Sequence, residues 1–274
     1  MKPRTLAFAI ILLSLGAVAQ QATKPTLEDK KGRFKVWGFI STGIQFNSGG
    51  FDFAATGNPV RGQSLDQGLT FSCRSLDASV AQPRGGAMRL RKGTMKGAAN
   101  VEIESENGGN TSLESGTVTL TAGQGEAVLV LPGAFTLTNK AVSSDGGLRT
   151  VTVNAPSGTA RLDPLEAQGK DPLRGITVTG ATTIRVVNSI KGATTRDMTV
   201  RGNSLEYDRS SKRLVISGAV TIEGKDVPED GPGFEGTMSG LNRVTVIFKE
   251  DYTVDRIQAQ GAPGQAEVKE GGGG

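Results

Sequence analysis

Short runs of β-branched and aliphatic residues, cut every few positions by glycine, asparagine, aspartate or serine, dominate this chain from residue 32 onward. Thr117–Leu120, Ala127–Leu131, Thr150–Val153, Ile176–Thr179, Thr183–Val187, Leu214–Ile216 and Val244–Phe248 all read this way. Alternation of apolar and polar residues over such runs is the signature of a half-buried strand. Turn signals separate them: Asn47-Ser48-Gly49-Gly50, Asn107-Gly108-Gly109-Asn110, Ser144-Asp145-Gly146-Gly147 and the stretch from Pro228 to Gly233. No window of about eleven residues carries a 3.6-residue apolar stripe. The chain is expected to be all-β. With 39 glycines and 36% hydrophobic residues it is rich in turns and thin in core.

A repeat runs through the strands. Gly-Ala followed three residues later by an aliphatic occurs at Gly97-Ala98-Ala99-Asn100-Val101 and Gly133-Ala134-Phe135-Thr136-Leu137. It returns at Gly180-Ala181-Thr182-Thr183-Ile184 and Gly218-Ala219-Val220-Thr221-Ile222, with spacings of 36, 47 and 38 residues. The last two copies extend backwards in step, Ile176 to Gly180 aligning with Leu214 to Gly218, and partial copies stand at Leu165 to Gly169 and Ile257 to Ala262. Aliphatics two apart share one face of a strand. Glycine and alanine between them remove side chains where a strand must bend or pack closely. The sheet is therefore expected to grow by similar layers of two to four short strands, each with a Gly-Ala corner.

Several chemistries are excluded by residue type. The chain has no histidine and a single cysteine, Cys73. A Ser-His-Asp triad, a Cys-His pair, an imidazole-ligated zinc and an intrachain disulfide all require residues that are absent. Cys73, near Phe71, is expected to be a small buried apolar residue, and Trp37 to anchor the first strands.

The N-terminus reads as an address. Lys2 and Arg4 form a basic start, Leu6 to Leu15 an apolar stretch, and Ala17-Val18-Ala19 a small-residue cleavage site. The stretch is too short to span a bilayer as a helix, and nothing downstream approaches such a length. Residues 1–19 are expected to be a signal peptide cleaved after Ala19. Its removal takes away Lys2 and Arg4 and lowers the net charge from +4 to +2. The basic residues are scattered, the densest group being Arg89, Arg91, Lys92 and Lys96. Nucleic-acid binding needs a concentrated basic face with stacking aromatics, and none is expected. Residues 20–31 read as a linker, 32–89 as an N-terminal β region whose membership of the same jellyroll is left open by the sequence, 90–264 as the repeats and 265–274, ending in four glycines, as a disordered tail.

Met198 to Ile222 resembles the repeat of the organic-solvent-tolerance (OstA-like) family of periplasmic lipopolysaccharide-transport proteins. The matching positions are Val200, Leu205, Tyr207, Asp208, Leu214, Ile216, Gly218 and Val220. A weaker second pass runs from Met238 to Gly261, and the similarity covers 158–261 reasonably, 90–101 faintly and 32–85 not clearly. The resemblance implies an open, twisted β-jellyroll, two facing antiparallel sheets stacked from repeats. Its inward aliphatics would line an apolar trough that carries acyl chains. The implied lining is Ile176, Val178, Ile184 and Val186, then Val200, Leu205, Leu214 and Ile216, then Val220 and Ile222, and finally Val244, Val246, Phe248 and Ile257. Arg185, Arg201, Arg213 and Arg243, each flanking a predicted strand, would meet head-group phosphates at the mouth.

The expected function is therefore non-catalytic: an exported, periplasmic protein that carries or bridges lipopolysaccharide or a related glycolipid to the outer membrane. No cofactor or metal is expected. Unpaired edge strands would add to those of other jellyrolls or of a second copy. The alternative is a structural β-repeat protein for surface or envelope assembly that binds no lipid. An enzyme would need paired carboxylates, for which Glu102 with Glu104, Asp163 with Glu166 and Glu250 with Asp251 are the candidates. Asp226, Glu229 and Asp230 supply the oxygen ligands that calcium takes, but without the EF-hand spacing.

Overall fold

The computed structural model describes residues 26–82, 88–104, 109–142, 147–165, 173–190, 193–226, 234–248, 254–261 and 266–268. The chain opens with β1 (Thr26–Glu28), β2 (Phe34–Asn47), β3 (Gly50–Ser64), β4 (Leu69–Ala81), β5 (Arg89–Glu104) and β6 (Asn110–Ala122). Four shorter strands follow: β7 (Ala127–Leu131), β8 (Phe135–Val142), β9 (Leu148–Ala155) and β10 (Gly158–Leu162). Long strands return as β11 (Leu173–Ile190), β12 (Ala193–Asp208), β13 (Arg213–Asp226) and β14 (Phe234–Phe248), before β15 (Val254–Gly261) and β16 (Ala266–Val268). Among the described residues all join one antiparallel sheet of 16 strands, in sequence order from β1 to β7 and from β10 to β15; β7 is followed by β10, β8 and β9 connect β6 to β11, and β16 pairs with β14.

The long strands are bent in the middle, and the bends fall at the small-residue repeat. Pairing shifts register between Lys96 and Ala99 in β5, Thr179 and Thr182 in β11, and Ser217 and Val220 in β13. Gly97, Gly180 and Gly218 sit at these shifts with φ of 77°, 105° and 80°. At Gly180 a Cβ would stand 2.6 Å from Pro156 Cγ. Only glycine fits both the backbone angle and the close approach. The Gly133-Ala134 copy goes further and interrupts the strand altogether. β7 pairs with the end of β6 and β8 with its beginning, so the two are halves of one bent strand.

Each bend passes the chain from one wall of the molecule to the other. The first half of β11 pairs with β10 and the second half with β9, while β12 accompanies it along both. One wall thus contains β7, β10, 173–179, 204–208, 213–217 and 243–248; the facing wall contains β8, β9, 182–190, 193–202 and 220–226. The result is an all-β jellyroll of two facing antiparallel layers, open at both ends of the stack.

Inward side chains of the two walls form a continuous apolar cluster. In its N-terminal part the space is filled: Phe34, Leu69, Leu76, Leu90, Leu120 and Leu129 are fully buried. The ring of Phe71 occupies the place a side chain would take at Gly62, 2.1 Å from an idealised Cβ there. Gln67, buried in the 3-10 turn after β3, joins the turn to β5. Its Oε1 accepts from Ser64 Oγ (2.8 Å) and Leu90 N (3.0 Å), and its Nε2 donates to the Leu90 carbonyl (3.1 Å).

Residues 32–89, for which membership of the same jellyroll was open, belong to it: β2, β3 and β4 run straight into β5 in the same sheet. Two boundary expectations change. The expected linker, 20–31, contains β1, because Thr26–Glu28 pairs with Lys35–Trp37 and inserts Leu27 into the core. The expected tail, 265–274, begins with β16, which pairs with Gly236–Met238. In both places a short stretch gains the backbone hydrogen bonds that an edge strand offers, a gain invisible to local composition. The proposed signal peptide and the terminal glycines lie outside the described residues.

Candidate functional site: an apolar trough with a basic rim

The two walls are not filled everywhere. From β8 to β15 they enclose a trough with a cavity volume of about 150 Å³, lined overwhelmingly by aliphatic side chains. That is about ten times the roughly 10–15 Å³ a single water requires. Strand alternation builds the lining. β11 contributes Ile176 from one wall and Ile184 and Val186 from the other; β12 contributes Leu205 and, opposite, Val200 and Met198. β13, β14 and β15 add Leu214, Ile216, Ile222, Val244, Val246, Phe248 and Ile257.

The lining expected from the sequence is thus brought together, except for Val178 and Val220. Both are buried, at 1% and 0% exposure, and neither borders the cavity. They sit beside the corners, where the walls converge and leave no room. Ile216 borders the cavity but is itself only 1% exposed, so it serves the core as well. Val186, Val200, Leu214 and Val246 are only partly buried and present more of themselves to the empty space.

The four expected head-group arginines are not at the mouth. Arg185 lies between Ile184 and Val186, Arg201 beside Val200, Arg213 beside Leu214 and Arg243 beside Val244, so alternation places all four on the outer face. Arg185 is engaged there by Asp197, with Nε–Oδ1 at 2.9 Å and Nη2–Oδ2 at 2.7 Å. The hydrogen bonds of that fork hold the Asp197 carboxyl below the usual range. Arg201 donates to Glu223 Oε2 at 2.8 Å. Arg213 and Arg243 are exposed.

Polar groups do enter the trough, at other positions. Asn139, Arg149, Asn188 and Arg196 line it at the rim of the wall formed by β8, β9, β11 and β12. They continue the inward parity of the aliphatics: Ile184, Val186, Asn188 along β11; Val200, Met198, Arg196 along β12; Val153, Val151, Arg149 along β9. Asn139 Nδ2 donates to the buried Thr111 Oγ1 at 2.9 Å. The signal was present in the sequence as alternation running past the last aliphatic.

The opposite rim is aromatic and latched. Tyr207 and Phe248 meet edge to face, their centroids 6.3 Å apart. Behind them Asp163 receives Arg174 Nε at 2.6 Å and a fork from Arg209 at 2.6 and 2.9 Å. Burial pushes its carboxyl up, but the hydrogen bonds and charges of Arg209 and Arg174 outweigh that and hold it below the usual range. In the adjoining turn Asp208 accepts from Ser210 Oγ, Ser211 N and Arg161, and the Ser210 bond contributes most to drawing its carboxyl down to about 2. The Tyr-Asp pair of the repeat therefore divides its work: the ring faces the trough and the carboxylate forms the turn.

The remaining candidates are dispersed. Glu102 and Glu104 are exposed on either side of the buried Ile103. Asp163 is held by its two arginines, while Glu166, Glu229, Asp230, Glu250 and Asp251 lie outside the described residues. Among the described residues no group of three or more His, Cys, Asp or Glu side chains is placed to hold a metal. Cys73 is buried, and loss of solvent raises its thiol to about 11. Comparison of the chain with protein-family models, with curated proteins and with solved structures returns no match.

Proposed function

We propose that this protein is an exported, non-catalytic carrier that holds the acyl chains of lipopolysaccharide or a related glycolipid in the trough and passes them toward the outer membrane. The observation that supports this most is the contrast along one continuous interior. The same interior that is closely packed around Phe34, Leu69, Leu90, Leu120 and Leu129 leaves an apolar space between β8 and β15. An unfilled apolar space forfeits packing that a few larger side chains would recover, and acyl methylenes recover it at roughly 0.8 kcal/mol each. Export rests on the character of residues 1–19, and the periplasm is the compartment that the family resemblance implies.

The open ends support a bridging role. The outermost strand of one wall, 39–47, pairs among the described residues only with β3 and leaves Ile40, Ile44 and Phe46 exposed. At the other end of the stack β15 leaves Ile257 47% exposed. Strand addition at either edge would satisfy backbone groups and cover these side chains, joining the protein to a second copy or another jellyroll and extending the trough.

The test is mass spectrometry of lipid carried by the mature protein purified without detergent, beside a Val246→Asp variant. Val246 borders the cavity without being fully buried, so a carboxylate there spoils the trough more than the fold. Acylated glycolipid on the wild type, and its loss from a folded variant, are the expected outcome. A lipid-free wild type that also ignores added lipopolysaccharide would return the protein to the structural-repeat reading.

A further inference from the structure

We infer that the trough is selective for amphiphiles with an anionic head, which is gripped by Arg149 and Arg196 across Asn188; this rests on the trough being an acyl-chain site. The three residues form a row. Asn188 on β11 is the direct register partner of Arg149 on β9 and of Arg196 on β12. Direct partners share a face, and all three line the cavity. The two arginine backbones stand two strand spacings apart, about 10 Å. Their side chains therefore lean over Asn188 from both sides, a span suited to one phosphate or carboxylate.

Position makes the row unusual. Guanidinium groups on the outer face of this sheet sit in water against carboxylates, as Arg185 and Arg201 do. Arg149 and Arg196 face inward, and the Nε atom of each is buried. Placing charge against an apolar lining is costly and brings nothing to a carrier of neutral lipid. The next register partner in the row is the backbone of Asp226, opposite Arg196, and each guanidinium has five donors to distribute, more than a single partner takes up. Asn188 Oδ1 is buried with no hydrogen-bond partner among the described residues. It offers an acceptor for a hydroxyl beside the anion, as a phosphorylated sugar or glycerol would present. The ligand would thus lie with its head at the basic rim and its chain running past Val186 and Met198 toward Val246 and Phe248.

Calorimetric titration of the mature protein with dodecyl phosphate, dodecanoate and dodecanol tests this. The wild type is expected to bind both anions at least about tenfold more tightly than the alcohol, about the loss of one charge-assisted hydrogen bond. Higher salt should erode only the anions' advantage. The double variant Arg149→Gln, Arg196→Gln should lose that advantage and keep its dodecanol affinity, whereas Arg185→Gln, on the outer face, should change neither. Equal wild-type affinity for all three ligands would overturn the head-group assignment and leave the acyl trough standing. A preference that survives in the folded double variant would overturn it as well. Failure of all three to bind would overturn the trough and the assignment together. The wild-type comparison decides the matter even if the double variant does not fold. Whichever anion binds more tightly identifies the source, a phosphorylated lipid or a free fatty acid.

Discussion

Asp163 is the side chain on which one rim of the trough turns. It is 7% exposed and receives two guanidiniums, one from β11 and one from the turn after β12. Its carboxyl is held below the usual range, so its contribution to stability is present above the unfolded value of about 3.9 and is lost as pH falls through the folded one. Asp163→Asn should cost about 2 kcal/mol at neutral pH, leaving two arginines without their counter-charge. Denaturant unfolding should show the gap between wild type and variant closing as the solution is acidified below the unfolded carboxyl's value and through the lower folded one. A gap unchanged by acid would mean that the carboxylate's charge is not what matters.

At the scale of the strand, the corner is the unit that makes this fold. Ala219 follows Gly218 in the β13 corner and has φ of 48°, and Ala98 in β5 has 51°. The left-handed region costs a non-glycine residue about 1–2 kcal/mol, while glycine costs about 0.4–1 kcal/mol through the unfolded chain. Ala219→Gly should therefore stabilise the protein by up to about 1 kcal/mol. Gly218→Val should destabilise it by about 2 kcal/mol, since a Cβ there stands 2.9 Å from Asn203 Cβ. Urea midpoints of the two variants that move in the same direction would show the corner to be misread. These corners were legible in the sequence because each needs a residue type that little else requires. So was most of the lining, from Ile176 to Ile257, because period-two alternation is a local property. The head group was not legible from strand-flanking arginines: a residue next to an inward aliphatic points outward, and Arg185, Arg201, Arg213 and Arg243 all do. The inward parity of Arg149, Asn188 and Arg196 was legible as alternation within each strand, but that β9, β11 and β12 bring the three together is information about register rather than about any one segment. The edge strands β1 and β16 were missed for a related reason, since their stability comes from a neighbour.

For the whole molecule, the interior changes character along its length, and core substitutions should report it. Leu129 is fully buried in the filled part, whereas Leu214 borders the cavity and is only partly buried. Leu129→Ala should cost about 2–5 kcal/mol, the range for opening a void in a packed core. Leu214→Ala, which enlarges a space already empty, should cost about 1 kcal/mol or less. Equal losses in equilibrium unfolding would mean that the trough is packed in solution. The largely in-order pairing of strands has a further consequence for how such a molecule comes apart. The long strands lean mainly on near neighbours in the chain, so stability accumulates layer by layer and need not be lost all at once. The least-filled layers should open first. Amide exchange should then advance as a front from β15 inward, with β13 less protected than β5, and a single uniform rate across the sheet would contradict it.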